Sequence, residues 1–231
     1  MSPDDSADGE APLRVHFSAE LEQLRLQVEL MGVRVDENLD RMRRVLLSAS
    51  EPLALEALAA DDDIDAMNVS LTDRCYQVLA REAPLASDLR LVVSVIRVIG
   101  ELERIGDLAL RVVKLRSDME AMHACEGPFA ILVAMAEHAI DQYRLAMGAW
   151  AVQDIDLATG LAGSRSSIGL RSGELLESLL TLSGPDAVSL ALRFNAAGQA
   201  LDRIADHSCL IGVRIRYLLT GDPHHLAAEV R

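Results

Sequence analysis

Aromatic side chains are scarce in this chain: one Trp, three Tyr and three Phe, 3% of 231 residues. A β-sandwich built on aromatic and β-branched strands is a poor match for that composition. The apolar half of the chain is mostly Leu, Ala, Val and Ile, which suits packed helices. Lysine is almost absent; Lys114 stands alone and every other basic side chain of the Lys/Arg class is Arg. A formal charge of −14 and a pI of about 4.8 exclude nucleic acid as a main partner and exclude non-specific attachment to an anionic membrane, since both need a cationic surface. Cysteine is sparse too. Cys75, Cys125 and Cys209 are widely spaced, with no C-x-x-C, so a zinc knuckle and a thioredoxin-type motif are both excluded and three reduced thiols are expected. No apolar run reaches the roughly 18 residues of a membrane span. P-loop, H-E-x-x-H, G-x-S-x-G and dinucleotide fingerprints are all missing. The opening "MSPDDSADGEAP" is acidic and lacks the basic and apolar regions of a signal peptide, so residues 1–13 are expected to form a disordered tail on a soluble, cytoplasmic protein.

What the chain has in abundance is apolar residues at spacings of three and four. Leu21, Leu24, Val28, Met31, Val35, Leu39, Met42 and Leu46 form one stripe, predicting a long first helix from about Ser18 to Ala49. Ser50 is a candidate cap for a second helix, with Pro52 in its first turn. "REAPLASD" breaks the pattern at Pro84, and Ser87 is expected to cap a third helix to about Met119. "ACEGP" at 124–128 reads as a linker. Three more helices follow, at about Phe129–Trp150, Asp154–Leu182 and from "SGPD" (183–186) to "TGDP" (220–223). The expected fold is all-α: two tandem three-helix bundles, at 14–123 and 128–222, related by an internal repeat. The repeat is visible in detail. "ELERIGDLALRVV" at 101–113 aligns with "ALDRIADHSCLIG" at 200–212, so Glu103, Arg104 and Asp107 match Asp202, Arg203 and Asp206.

Unrolled at 100° per residue, the third helix places Glu103 and Asp107 in the same stripe as Leu89, Val92, Val93, Ile96, Ile99 and Leu110. Two inward carboxylates cost several kcal/mol each unless something neutralises them. Arg104 and Arg111 are within helical reach of Asp107, so a salt-bridge network is one solution. Protonation and a metal ion are the others. "DDDID" supplies Asp61 and Asp65 at the same spacing on the second helix, flanking its apolar stripe where two helices meet. Four carboxylates from two helices are hard oxygen ligands suited to Mg²⁺, Mn²⁺, Ca²⁺ or iron. A solvated acidic turn is the bland alternative for "DDDID". Gly106, beside the acids, is expected to admit the close approach of another backbone.

The stretches "DDDIDAMN", "APLASDLRLVVSVIRVIGELERIGDLAL" and "ALDRIADHSCLIGVRIRYLLTGDP" resemble the PhoU family of phosphate-uptake and phosphate-signalling regulators over almost all of residues 14–223. The resemblance implies two three-helix bundles in pseudo-twofold arrangement and E(D)-x-x-x-D motifs that in some members bind metal clusters. Carried over, the first metal site is Asp61, Asp65, Glu103 and Asp107, with Mg, Mn, Fe or Zn as the candidate ion; the second uses Asp202 and Asp206. The second site departs from the pattern, because aligning Ile168 with Ile64 places Arg165 and Gly169 where Asp61 and Asp65 stand. That substitution implies no tight metal there and an Arg165 ion pair to Asp202 or Asp206 instead. His207, next to the second motif, is either a ligand or a hydrogen-bonded histidine. The resemblance further implies a non-enzymatic negative regulator of the phosphate-starvation response, a bridge between the ATPase of the phosphate ABC transporter and a membrane sensor histidine kinase.

Two further patterns stand out. Arg90, Arg97, Arg104 and Arg111 recur every seven residues on the third helix. They either pair locally or form a docking stripe for an acidic partner, with Arg90 and Arg97 as the partner-binding candidates. The far side of that helix (Leu91, Val95, Val98, Leu102, Ile105, Ala109 and Val112) is also apolar and must be covered by the other bundle, by a partner, or by a second subunit in a homodimer. A ferritin-like di-metal carboxylate enzyme is the rival reading, but it needs two Glu-x-x-His motifs and the chain offers only Glu120 with His123. A metal-free dimeric adaptor, with every acid paired to Arg, is the third.

Overall fold

The structure is a computed structural model that describes the backbone of residues 10–163 and 165–230 and the side chains of 17–161 and 170–227. Helix α1 spans Glu10–Ser48, α2 Glu51–Glu82 and α3 Ala86–Val113. A short turn and α4 (Met119–His123) lead into α5 (Glu126–Val152), α6 (Ile155–Gly163), α7 (Arg165–Leu179) and α8 (Ala187–Thr220). No strand forms among the described residues, and no helix there is long and apolar enough to cross a membrane.

Two boundaries differ from expectation. Helix α1 starts at Glu10, within the segment expected to be disordered; residues 1–9 of that segment lie outside the described residues. Helices α6 and α7 fall within the span expected of the fifth helix, on either side of residue 164, which lies outside the described residues. The last helix starts at Ala187 because Gly184 adopts a left-handed φ of 107° and turns the chain first. Caps also differ. Ser50 and Leu85 occupy the cap positions of α2 and α3 without side-chain cap bonds, and Ser87 lies inside the first turn of α3. "TGDP" ends α8 as expected: Gly221 is left-handed, and its N–H donates to the Tyr217 carbonyl at 2.8 Å.

Helices α1, α2 and α3 pack as one bundle and α5, α6, α7 and α8 as another. The two share a continuous apolar core, because α3 lies along α8 in the most extensive helix pair of the molecule. Val95, Val98, Leu102, Ile105, Ala109 and Val112 on the far side of α3 are all fully buried. Helices of the same chain cover them, since α3 packs on α8, α1 and α2, so the apolar far side that left a homodimer open is satisfied within the chain. A second seam joins α1 to α5. There the buried Tyr143 hydroxyl donates to the Gly32 carbonyl at 2.6 Å, the Trp150 indole donates to the Arg25 carbonyl at 3.4 Å, and Arg144 forks onto Asp36 at 2.7 and 3.3 Å. The cysteines are free thiols, Cys75 and Cys209 buried.

The closest backbone approach supported by a glycine lies between α6 and α8. A Cβ on Gly212 would meet the Ala158 carbonyl oxygen at 3.1 Å and Leu161 Cδ1 at 2.9 Å, whereas one on Gly148 of α5 would meet nothing within 4 Å. Gly212→Val is expected to destabilise the chain by about 1–3 kcal/mol through overpacking. Gly148→Ala is expected to stabilise it by about 0.5–1 kcal/mol through helix propensity alone. Urea unfolding of the two variants checks the contrast.

Candidate metal centre at the seam of α2 and α3

The stripe of α2 buries Ala57, Ile64 and Leu71 against its neighbours, which fixes Asp61 and Asp65 on the edge facing α3. The stripe of α3 does the same for Glu103 and Asp107. Burial is partial, not complete: Asp61 and Glu103 are half-buried, while Asp65 and Asp107 are exposed. The inward direction expected for Asp107 is therefore corrected. Its neighbours Gly106 and Leu108 are buried, and a helix that packs on two sides leaves only a narrow open edge, where Asp107 sits. Gly106 also acts differently from expectation. The atom that comes close is not backbone but Oδ1 of Asp61, which lies 3.2 Å from where a Cβ would stand, with Ile64 Cδ1 at 3.6 Å.

The four acids sense one another. Burial first, then the charges of Asp65, Asp107 and Glu103, push the Asp61 carboxyl up to about 6; Lys114 opposes the shift. Glu103 is raised by burial first and then by Asp107 and Asp65, with Arg104 and His207 pulling it down. None of the ion pairs among the described residues includes Asp61, Asp65, Glu103 or Asp107. The arginines expected to pair with Asp107 form no ion pair with it, although Arg104 and Arg111 line the same cleft beside α8 as Glu103 and Asp107. The result is a cluster of like charges with hard oxygen donors and no guanidinium clamp, which suits a cation. Among the described residues, no three His, Cys, Asp or Glu side chains are gathered into a ready-made ligand set.

The second repeat is built otherwise. The Ser172 hydroxyl of α7 donates to Oδ2 of Asp202, and Oδ1 of Asp202 is buried without a partner. Burial raises the Asp202 carboxyl, the Ser172 bond lowers it, and Asp206 raises it further. The expected Arg165 ion pair lies outside the described side chains, as does Gly169. His207 is a hydrogen-bonded histidine: its Nδ1 is 2.5 Å from Oε2 of Glu101, both largely buried where α8 meets α3. Sequence reasoning did not single out this pair, nor Ser172. The partners come from different repeats or different helices, and local spacing carries no signal for them.

Two other candidates take structural roles. Arg90 donates from Nε to the Leu218 carbonyl at 3.4 Å, and its guanidinium lies 3.4 Å from the Cβ position of Gly221, so it binds the C-terminal end of α8 where a cation is favoured. Arg97 is exposed. His123 Nε2 donates to the Leu46 carbonyl at 2.8 Å and its ring meets Phe129 edge-on, which ties the lone Glu-x-x-His motif to the end of α1.

Two outcomes are expected. The folded chain binds the Asp61 proton more tightly than the unfolded chain, so this group stabilises most below its ordinary value of 3.8 and less as the pH rises through about 6. With chelator present, Asp61→Asn should raise stability near pH 7.5 by about 1 kcal/mol after allowance for solvent screening, and leave it unchanged near pH 4. Urea unfolding at both pH values checks this. Arg90→Glu should lower stability by about 0.5–1.5 kcal/mol by reversing a favourable charge at the α8 terminus, whereas Arg97→Glu should not; paired thermal melts decide it.

Comparison with known proteins agrees with this architecture. The family profile described as the PhoU domain matches residues 28–115. A phosphate-specific transport system accessory protein PhoU homolog of Pseudomonas putida is 32% identical over 92% of this chain and 84% of its own length. The corresponding accessory protein of Escherichia coli K12 is 28% identical over 92% of this chain and 89% of its own. Among solved structures, PhoU from Pseudomonas aeruginosa superposes with a TM-score of 0.82 at 30% identity, covering 89% of this chain and all of the other. The phosphate transport system regulatory protein PhoU from Streptococcus pneumoniae shares the fold, with a TM-score of 0.77 at 22% identity. With a relative 32% identical over 92% of this chain, and a PhoU structure superposing at a TM-score of 0.82, this chain belongs to the PhoU family.

Proposed function

We propose that this chain is a regulatory accessory protein of a phosphate-specific transport system and not a catalyst. The observation that carries the reading is the 32% identity, over nearly the whole chain, with a relative named as such an accessory protein. In this reading it works in the cytoplasm as an adaptor between the ATPase of the phosphate ABC transporter and a sensor histidine kinase, holding the phosphate-starvation response off when phosphate is plentiful. Affinity purification of the full chain from its own cells, at high and low phosphate, tests this. Recovery of the transporter ATPase and the kinase, in amounts that depend on phosphate, supports the adaptor role; recovery of neither removes it. Arg97→Glu should weaken that recovery without changing thermal stability, since Arg97 is exposed and makes no ion pair among the described residues.

The cation reading belongs to the same proposal. Asp61, Asp65, Glu103 and Asp107 would hold a divalent or iron ion, whose charge would relieve the mutual repulsion that raises Asp61 and Glu103. The second repeat would not bind one tightly, because Ser172 already engages Asp202. Metal analysis of untagged protein should then find one loaded site, and thermal melts with added Mg²⁺ or Mn²⁺ should show a rise that disappears in Glu103→Gln/Asp107→Asn and persists in Asp202→Asn. Two equivalent loaded sites would refute the asymmetry, and no metal-dependent shift in the parent chain would refute the site.

A further inference from the structure

We infer that the cleft between α3 and α8 binds a protonated phosphoryl oxyanion, held by Arg104 and Arg111 of α3 and Arg203 of α8 and selected over sulfate by Glu103 and Asp107. The inference deepens the phosphate-linked reading above by naming a ligand class for the seam between the repeats.

The cleft is a concavity of about 270 Å³ whose wall includes these three arginines, the two acids and His207. Its arginines have no carboxylate partners. Elsewhere on the described surface many arginines are paired, such as Arg25 with Glu22 and Glu29, Arg43 with Asp40 and Glu137, Arg81 with Glu20 and Arg144 with Asp36, and those without an ion pair, such as Arg44 and Arg97, do not share a hollow with one another. In a chain with 36 acidic side chains against 22 Lys and Arg, this hollow gathers three exposed guanidiniums without an ion pair. Among the described residues none of the three forms an ion pair or side-chain hydrogen bond; Arg104 acts on Glu103 only through its field.

The placement follows from the repeat. Arg104 and Arg203 are equivalent positions of the two halves, and the packing of α3 on α8 brings both into the same wall. Arg111 lies two helical turns beyond Arg104 on the same face. Guanidiniums present paired N–H donors that match the oxygens of a phosphoryl group. The hollow is too small to seat a folded partner and suits one tetrahedral group with its waters.

The two acids decide which oxyanion fits. At neutral pH a phosphoryl oxyanion can keep a proton and donate it in a hydrogen bond, as the second pKa of a phosphomonoester is about 6. A carboxylate in the wall can accept that bond. Sulfate carries no proton and would meet Glu103 and Asp107 as bare like charges. His207 is held through its Nδ1 by Glu101 at 2.5 Å, which fixes the ring in the wall of the cleft.

Calorimetric titration of the full chain, in chelator near neutral pH and in chloride buffer, tests the site independently of the metal. Inorganic phosphate, sulfate and a phosphoserine peptide are the probes. We expect saturable one-to-one binding of inorganic phosphate, the peptide or both, in the millimolar range or tighter, and at least tenfold weaker binding of sulfate. The tighter of the two phosphoryl probes identifies whether the source is free phosphate or a phosphorylated side chain. Arg104→Gln and Arg203→Gln should each weaken binding about tenfold with unchanged thermal melts, since both side chains are exposed, while Arg34→Gln on α1 should not. Glu103→Gln should narrow the preference over sulfate. Absence of binding by both phosphoryl probes, binding unaffected by both arginine substitutions, sulfate bound as tightly as phosphate, or binding only of an acidic polypeptide such as polyglutamate each overturns the proposal. A failed transporter or kinase pull-down with intact phosphate binding would instead count against the adaptor reading alone.

Discussion

The apolar contact between α3 and α8 is the constraint on which the remainder of the molecule depends. Both helices are buried on more than one side. Val95, Val98, Leu102 and Ile105 of α3 and Ile204, Ala205, Ile211 and Ile215 of α8 are almost completely excluded from water. Burial on this scale supplies the main favourable term of folding, and it leaves each helix only a narrow open edge. Every polar feature of interest sits on such an edge: the four acids along the seam of α2 and α3, the arginine cleft that Glu103 and Asp107 also line, and the Glu101–His207 bond where α3 and α8 touch. The charged groups are where they are because the apolar packing leaves nowhere else for them.

This also explains why two halves with related sequences carry different chemistry. The first repeat brings two Asp from α2 against Glu103 and Asp107, and burial together with the neighbouring charges pushes the Asp61 carboxyl up to about 6. The second repeat brings Ser172 against Asp202, a neutral donor that satisfies one carboxylate oxygen. The same helix-pair geometry thus presents a cation-attracting edge in one bundle and a hydrogen-bonded edge in the other. The difference lies in a few residues of the partner helix, not in the fold.

Much of this was legible in the sequence. The three-and-four spacing of Leu21 through Leu46 marks α1, and all eight of those residues are buried. The alignment of Glu103-Arg104-Ile105 with Asp202-Arg203-Ile204 reveals the duplication, and the meeting of Asp61, Asp65, Glu103 and Asp107 follows from the stripes of two helices. What spacing could not supply was depth and partnership. A helical wheel places Asp107 in the apolar stripe, but the wheel does not know that α8 covers one side and leaves Asp107 on the rim. Nor does it show that Arg90 reaches the end of a helix 128 residues away, or that Glu101 meets His207 across 106 residues.

Helix α8 is made well after α3, and the two meet across 106 residues at the Glu101–His207 bond. Until α8 emerges from the ribosome, the edge of α3 that packs against it stays open. A nascent chain with three finished helices therefore carries apolar surface exposed to water, the kind of surface that chaperones hold and that self-associates when they do not. The duplication that gave this protein two halves therefore also gave it a dependence during synthesis: the first half is completed only by the arrival of the second.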